Sequence, residues 1–364
     1  SLKSHENCNL KFINVADDYV PENNLNHVSP LIVHNLSSEK LFTDQLLKIT
    51  DDLVNTISIE EGILFKSVLL TDTAKNLNYL FFVSHHLIID AISWNTLLEE
   101  IVWRYESFGL EKPLPVIREQ IQNHFYKKSK TIFQDLYKPL GISNKIKKIP
   151  VNQNNTGYSN SVISIVATDE SSEKLRQIEA ISDNNLKLQD LFLSSFISSV
   201  FDYYNIRECS VDVEFHGRPE ENAGIDLSRS VSWWSTTIPV DFDESHRSVH
   251  QLKEFMVPIT GYANTINSHR DIFAGDKKNK SDIRFNYLGK FPESYSNSSL
   301  KLTPSHYTTS PTRSNRNNSE YKLFFTGRFI GNKLIFDIQY NTACFNSQEI
   351  HKIANLFIGH LASY

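Results

Sequence analysis

The chain has 364 residues, 40% of them hydrophobic and 22% charged, an ordinary globular usage that excludes wholesale disorder and admits one large domain or two packed lobes. Lys and Arg number 37 against 42 Asp and Glu, a formal net charge of -5, which gives no electrostatic reason to expect nucleic acid or an anionic membrane as partner. No run approaches the roughly 20 apolar residues of a membrane span, and the polar start Ser1-Leu2-Lys3-Ser4 is unlike a signal peptide, so a cytoplasmic protein is expected.

In chain order, Gly62 to Thr71 and Asn78 to Ser84 are β-rich runs joined by a short polar link, a hairpin or close strand pair. After Asp90, the residues Trp94, Leu97, Leu98, Ile101 and Tyr105 recur by three and four, which predicts a helix burying that stripe and stopping near Gly109. A second helical stretch runs from Arg118 to Tyr137. Lys145 to Asn160 then loses periodicity and reads as an inter-lobe linker. The expected division is residues 1–150 and 151–364.

Beyond the linker, Ser161 to Ala167 predicts a strand, Ser171 to Ile181 a helix, and Leu188 to Tyr204 a helix so apolar all round that it must be deeply buried. Glu208 to Phe215 alternates as a strand and spills into His216-Gly217-Arg218-Pro219. Val231 to Val240 and Asp282 to Leu288 are strand-like, Leu323 to Tyr340 is a hairpin turning at Gly331-Asn332, and Gln348 to Leu361 is an amphipathic helix. The Ser, Asn and Thr rich stretch from Glu293 to Glu320 reads as a mobile loop. Mixed elements with antiparallel hairpins predict an α+β fold in two lobes, and the lack of GxGxxG or P-loop motifs disfavours nucleotide chemistry.

Two imidazoles, His85 and His86, stand at a predicted strand end. Histidine titrates near neutrality, so one held beside a reacting C–H could take or return a proton; a satisfied structural pair is the other reading. Adjacent strand residues point to opposite faces, which argues against one metal taking both and leaves one imidazole for a substrate. Asp90 either orients an imidazole or caps the following helix, and capping is the expected role. Cys8, Cys209 and Cys344 form neither a paired framework nor a CxxC spacing, so free, mostly buried thiols are expected. Glu214 shares its strand face with Asp212 and His216, opposite Val211, Val213 and Phe215; by itself that pattern describes a solvated polar face.

Four segments together carry a resemblance. His85-His86-Leu87-Ile88-Ile89-Asp90-Ala91-Ile92-Ser93-Trp94 resembles the HHxxxDGxSW signature of condensation-type domains in its epimerization flavour. Glu214 to Glu220 resembles EGHGRE, Asp226 to Trp234 resembles DLSRTVGWF, and Phe285 to Phe291 resembles FNYLGQF, all in the family's order. The sequence departs from the pattern at Ala91 and Ser232, where glycine is usual, at Ile238-Pro239, and around Pro258. The family's opening elements are not found, so the first lobe is expected to be shortened, the chain being either an excised piece of something longer or a divergent or partial relative.

The resemblance implies two lobes like chloramphenicol acetyltransferase, each a largely antiparallel or mixed sheet with helices, forming a V with a central tunnel. It implies epimerization of the α-carbon of an aminoacyl or peptidyl thioester in nonribosomal peptide synthesis. His86 matches the catalytic histidine, Glu214 the glutamate facing it from the other lobe, and Tyr287 the tyrosine near the reacting carbon. His85, Asp90, Ser93, Trp94, Arg218, Trp233 and Asn286 are the implied supporting residues. The implied partners are a peptidyl carrier protein, whose 4'-phosphopantetheine arm holds the substrate, and neighbouring synthetase domains, with no cofactor or metal of the domain's own and a monomeric state. Alternatives are a condensation domain forming a peptide bond and a catalytically silent carrier-docking module.

Overall fold

A computed structural model describes residues 10–15, 18–23, 31–36, 39–73, 75–107, 141–143, 145–151, 160–181, 186–218, 227–267, 280–305, 307, 309 and 321–364. Cys8, Gly109 and the helix expected over Arg118 to Tyr137 lie outside the described residues. The chain divides into two compact units. One comprises Ser1–Arg118, Leu227–Trp234 and Glu293–Ser314, the other Glu119–Asp226, Ser235–Pro292 and Asn315–Tyr364.

In the first unit, β1 (Leu10–Val15) pairs antiparallel with β2 (Asp18–Asn23). A three-stranded sheet has the order β3 (Ile32–Leu36), β4 (Phe65–Asp72), β5 (Leu77–Ser84). Its first pair is parallel and its second antiparallel, and helix α1 (Glu39–Asn55) makes the crossover between β3 and β4. Val68 and Leu70 on alternate positions of β4 bury completely against Leu46 and Leu53 of that helix, as the two-residue period of a strand requires. Helix α2 (Ala91–Glu106) follows β5. Its buried side is Ser93, Thr96, Leu97, Glu100 and Val102, whereas Tyr105 of the expected apolar stripe is 58% exposed. Ser93 and Asn95 near the start of α2 bond to Ser232 and Tyr295 elsewhere in the unit.

The second unit is built on a six-stranded sheet. Its strands are β6 (Asn160–Val166), β7 (Glu208–Phe215), β8 (Thr236–Asp243), β9 (Ile283–Phe291), β12 (Leu323–Ile330) and β13 (Lys333–Asn341), in the order β6-β13-β12-β9-β7-β8. β9 runs parallel to both its neighbours and the outer pairs are antiparallel, so the unit is α+β with a mixed sheet. Helices α3 (Asp169–Ile181), α4 (Leu188–Tyr204), α5 (Val249–Asn267) and α6 (Ser347–Ala362) complete it. As its composition demands, α4 is buried almost throughout: Phe192 and Phe196 pack on Phe285, Phe325 and Phe336, and Phe357 of α6 closes the same cluster. The hairpin turns at Gly331-Asn332, with Gly331 at a φ of 58°, where glycine costs least.

Cys209 and Cys344 are both buried, and burial pushes the Cys209 thiol up to about 12. Among the described residues no helix is long and apolar enough to cross a membrane.

The structure departs from the sequence expectations in four places. The division near residue 150 is discontinuous instead, because segments 227–234 and 293–314 belong with the first unit. Residues 145–151 are no free linker. Residues 141–143 just before it lie along the outer edge of β8, with Ile142 bridging Val240 and the Ser143 N–H donating to the Pro239 carbonyl at 2.8 Å, and within it the Lys147 carbonyl accepts the Ser210 N–H of β7 at 2.9 Å. Val231 to Val240 is not one strand, since β8 begins only at Thr236. The described part of the loop expected over Glu293 to Glu320 contains a small hairpin, β10 (Tyr295–Ser296) and β11 (Lys301–Leu302), anchored to α2 by Tyr295–Asn95, Asn297–Val102 and Ser298–Glu106 hydrogen bonds.

Candidate functional site

The first half of the candidate site grows from the end of β5. The strand stops at Ser84, and His86 to Ile88 form a 3-10 turn, so the alternation expected of adjacent strand residues does not govern the two histidines. They differ by what they touch. His85 is half-buried with Nδ1 accepting the Leu87 N–H at 3.2 Å, which leaves the neutral ring's hydrogen on Nε2. Burial, with a smaller contribution from His86, holds the His85 imidazole below its ordinary range. His86 is exposed, and its ring packs against Trp233 at 5.4 Å between centroids.

Asp90 caps α2. Its Oδ1 accepts from the Ser93 N–H at 2.8 Å and lies 2.7 Å from the Ser93 hydroxyl, while Oδ2 accepts the Trp234 N–H at 3.1 Å. Ser93 is fully buried and meets both main-chain groups of Ser232, at 2.9 Å to the carbonyl and 3.1 Å from the N–H. The segment 227–234 is therefore fastened to the N-terminus of α2, which puts Trp233 against His86. Trp94 packs with Phe65 and Phe82, near Ile89, Leu97 and Val231, and serves this corner as apolar filling. Ala91 and Ser232 both have negative φ, so the backbone does not require the glycines usual there.

The second half lies on the sheet of the other unit. Asp212 and Glu214 share a face of β7 as expected, but that face is not solvated: every residue from Cys209 to Phe215 is buried, Glu214 to 8% exposure. β8 and β9 pair with β7 on both sides, and side chains of other segments, Arg284 on Glu214 and Tyr321 on Asp212, lie over this face. The Glu214 carboxylate is compensated by Arg284, whose Nη2 donates to Oε2 at 2.6 Å. Asp212 Oδ2 accepts from the Tyr321 hydroxyl at 2.9 Å and Oδ1 from the Ser281 N–H at 3.1 Å; burial nevertheless raises its carboxyl above the ordinary range.

Alternation along β9 puts Arg284 and buried Asn286 on the Glu214 face and Phe285 and Tyr287 on the other. Tyr287 accordingly packs edge-on against Phe192 of α4 at 5.2 Å. After β7, the Arg218 N–H donates to His216 Nδ1 at 3.1 Å; His216 is exposed and Arg218 buried. The sequence reading passed over Arg284. A lone Arg between Ile283 and Phe285 in an apolar strand was the available signal, because such a charge needs a carboxylate.

Thus His86, His85, Asp90, Ser93, Trp94 and Trp233 gather in the first unit, and Glu214, Arg218, Asn286 and Tyr287 belong to the second. Chemically, the first set offers an exposed imidazole on a fastened turn. The second offers a buried carboxylate with its own cation.

The family model for the condensation domain matches residues 31–364. The chain is 25% identical over 343 residues to bacitracin synthase 3 of Bacillus licheniformis, covering 89% of this chain and 5% of that protein. It is 24% identical over 342 residues to gramicidin S synthase 1 of Brevibacillus brevis, covering 85% and 30%. It therefore spans well under half the length of these curated relatives. Among solved structures, the epimerization domain from the third module of tyrocidine synthetase B superposes with a TM-score of 0.75 at 17% identity, covering 99% of this chain and 84% of that one. The condensation domain from Monacolin K polyketide synthase gives 0.69 at 11%, covering 100% and 86%. These structural likenesses speak for the fold. With the family model spanning nearly the whole sequence and the fold agreeing, the chain belongs to the condensation-domain family.

Proposed function

We propose that the chain inverts the α-carbon of an aminoacyl or peptidyl thioester carried on the 4'-phosphopantetheine arm of a peptidyl carrier protein, as a monomeric cytoplasmic part of a nonribosomal peptide synthetase. The observation that carries this reading is Glu214, a buried carboxylate held by Arg284 at the end of β7, within the segment that resembles EGHGRE. Epimerization needs a group that removes the α-proton and another that returns one to the opposite face. Glu214 and His86 are assigned that pair. Attachment as a thioester acidifies the α-C–H, and no metal or organic cofactor is required. Tyr287 enters as a stabiliser of the enolate oxygen through the resemblance alone, since its ring packs on the α4 side of the sheet.

Peptide-bond formation is the second reading, favoured by the condensation family model and by relatives named as synthases of bacitracin and gramicidin S. Incubation with an aminoacyl carrier protein in deuterated buffer separates the two. Epimerization incorporates deuterium at the α-carbon and yields both configurations after hydrolysis, with a short thioester mimic reacting weakly and free amino acid not at all. An acceptor-dependent dipeptide without α-exchange would replace epimerization by condensation.

A further inference from the structure

We propose that Arg284 is the positioning residue of the Glu214 carboxylate, an inference that rests on the epimerization reading. Its Nη2 donates to Glu214 Oε2 at 2.6 Å, with the two side chains 20% and 8% exposed. The guanidinium is itself clamped. Its central carbon lies 4.7 Å from the ring centre of Phe324 and 5.5 Å from that of Tyr321. Tyr321 is pinned in turn by its 2.9 Å hydrogen bond to Asp212, which is also bound to Ser281. Asp212 thus has partners of its own and leaves the guanidinium for Glu214.

The chain of restraint runs from Ser281 and Asp212 through Tyr321 to Arg284 and ends at Oε2. Anchoring Oε2 fixes the direction of Oε1, the oxygen we assign to proton transfer. A planar guanidinium that stacks and donates at once suits this task, and an ammonium does not. Arg284 lies just before the FNYLG-like segment, outside the residues that the resemblance names.

The test measures solvent deuterium exchange into a carrier-bound aminoacyl thioester with wild type, Arg284→Gln, Arg284→Lys, Glu214→Gln and the double variant Glu214→Gln/Arg284→Gln. Arg284→Gln is expected to lower kcat by about tenfold to a hundredfold with KM within about threefold, as loss of alignment rather than of binding predicts. Arg284→Lys, which keeps the charge, falls between it and wild type. In the Glu214→Gln background the same replacement changes residual exchange less than about twofold, since there is no carboxylate left to position. Denaturation midpoints verify that each variant is folded, and Arg284→Lys carries the test if Arg284→Gln is not.

Wild-type kcat in a folded Arg284→Gln or Arg284→Lys variant overturns the inference, as does an equal loss in both Glu214 backgrounds. Wild-type protein that exchanges no α-proton removes the epimerization reading itself, and this inference with it.

Discussion

The Oδ2 of Asp90 accepts the main-chain N–H of Trp234, a residue 144 positions further along the chain, at 3.1 Å. One carboxylate thereby caps α2 and holds the strip that carries Trp233. Loss of a cap costs about 1 kcal/mol, and loss of a buried hydrogen bond to a charged group about 1.5–3. Asp90→Ala is therefore expected to lower stability by about 2–4 kcal/mol, and Ser93→Ala by about 1–2 because it removes a neutral hydroxyl and leaves the charged cap in place. Urea denaturation at constant m-value checks both. The double variant should cost less than the sum, since the two side chains share one network. Strict additivity would mean that they do not act together.

Glu214→Gln keeps the shape of the side chain and removes the charge that Arg284 faces. Proton abstraction by this group predicts a loss of exchange by about two orders of magnitude or more. Stability should fall by about 1–3 kcal/mol, because the partly buried guanidinium loses its compensating negative charge. The two readouts part company under a purely structural role, in which denaturation changes and the exchange rate of the folded fraction does not.

The His85 imidazole titrates below its ordinary range because burial and its neighbour His86 oppose the charged form. Above the unfolded value of 6.5, the folded and unfolded chains both carry it neutral. As pH falls from 6.5 toward the lowered folded value, the unfolded chain binds a proton that the folded chain refuses, and stability is lost. Protonation would also direct an N–H at the Leu87 N–H that Nδ1 now accepts. His85→Asn offers that N–H an amide oxygen that does not titrate, so its melting midpoint should drop less between pH 7.5 and 5.5 than that of wild type. His246, likewise lowered by burial, keeps a share of the slope in both proteins. Equal drops in the two proteins would show that His85 does not contribute.

How much of this was legible before the structure depended on whether each residue's partner was local. Helix α4 declared its burial through Leu188 to Tyr204 alone, and Asp90 followed by Ser93 is a cap readable over four residues. The partner of Asp90 at Trp234 left no local trace, so a strand was expected where the chain instead returns to the first unit. Glu214 was assigned the correct face of β7 from alternation. Its ion-pair partner Arg284 comes from β9, 70 residues further along the chain, which the local pattern does not describe. The Ser and Asn residues that suggested a mobile loop near Asn297 are the ones that bond to α2.

The last prediction separates His86 from its neighbour. His86 is exposed and touches Trp233, whereas His85 is half-buried and satisfies a main-chain N–H. Removing an exposed imidazole costs little packing, so His86→Ala should keep its denaturation midpoint within about 0.5–1 kcal/mol of wild type in free energy. Its α-proton exchange should disappear, because the proposed reaction requires an acid–base group at this position to exchange protons with the carbon. His85→Ala should show the reverse pattern, a loss of stability with exchange retained in the folded fraction. Trp233→Leu supplies the intermediate case. It leaves the imidazole in place but takes away the ring that it packs against, and should lower kcat by about threefold to tenfold through looser placement. Deuterium incorporation measured beside denaturation curves for the three variants decides the matter. Wild-type exchange in folded His86→Ala protein would withdraw this histidine from the chemistry and leave Glu214 to be tested with some other partner.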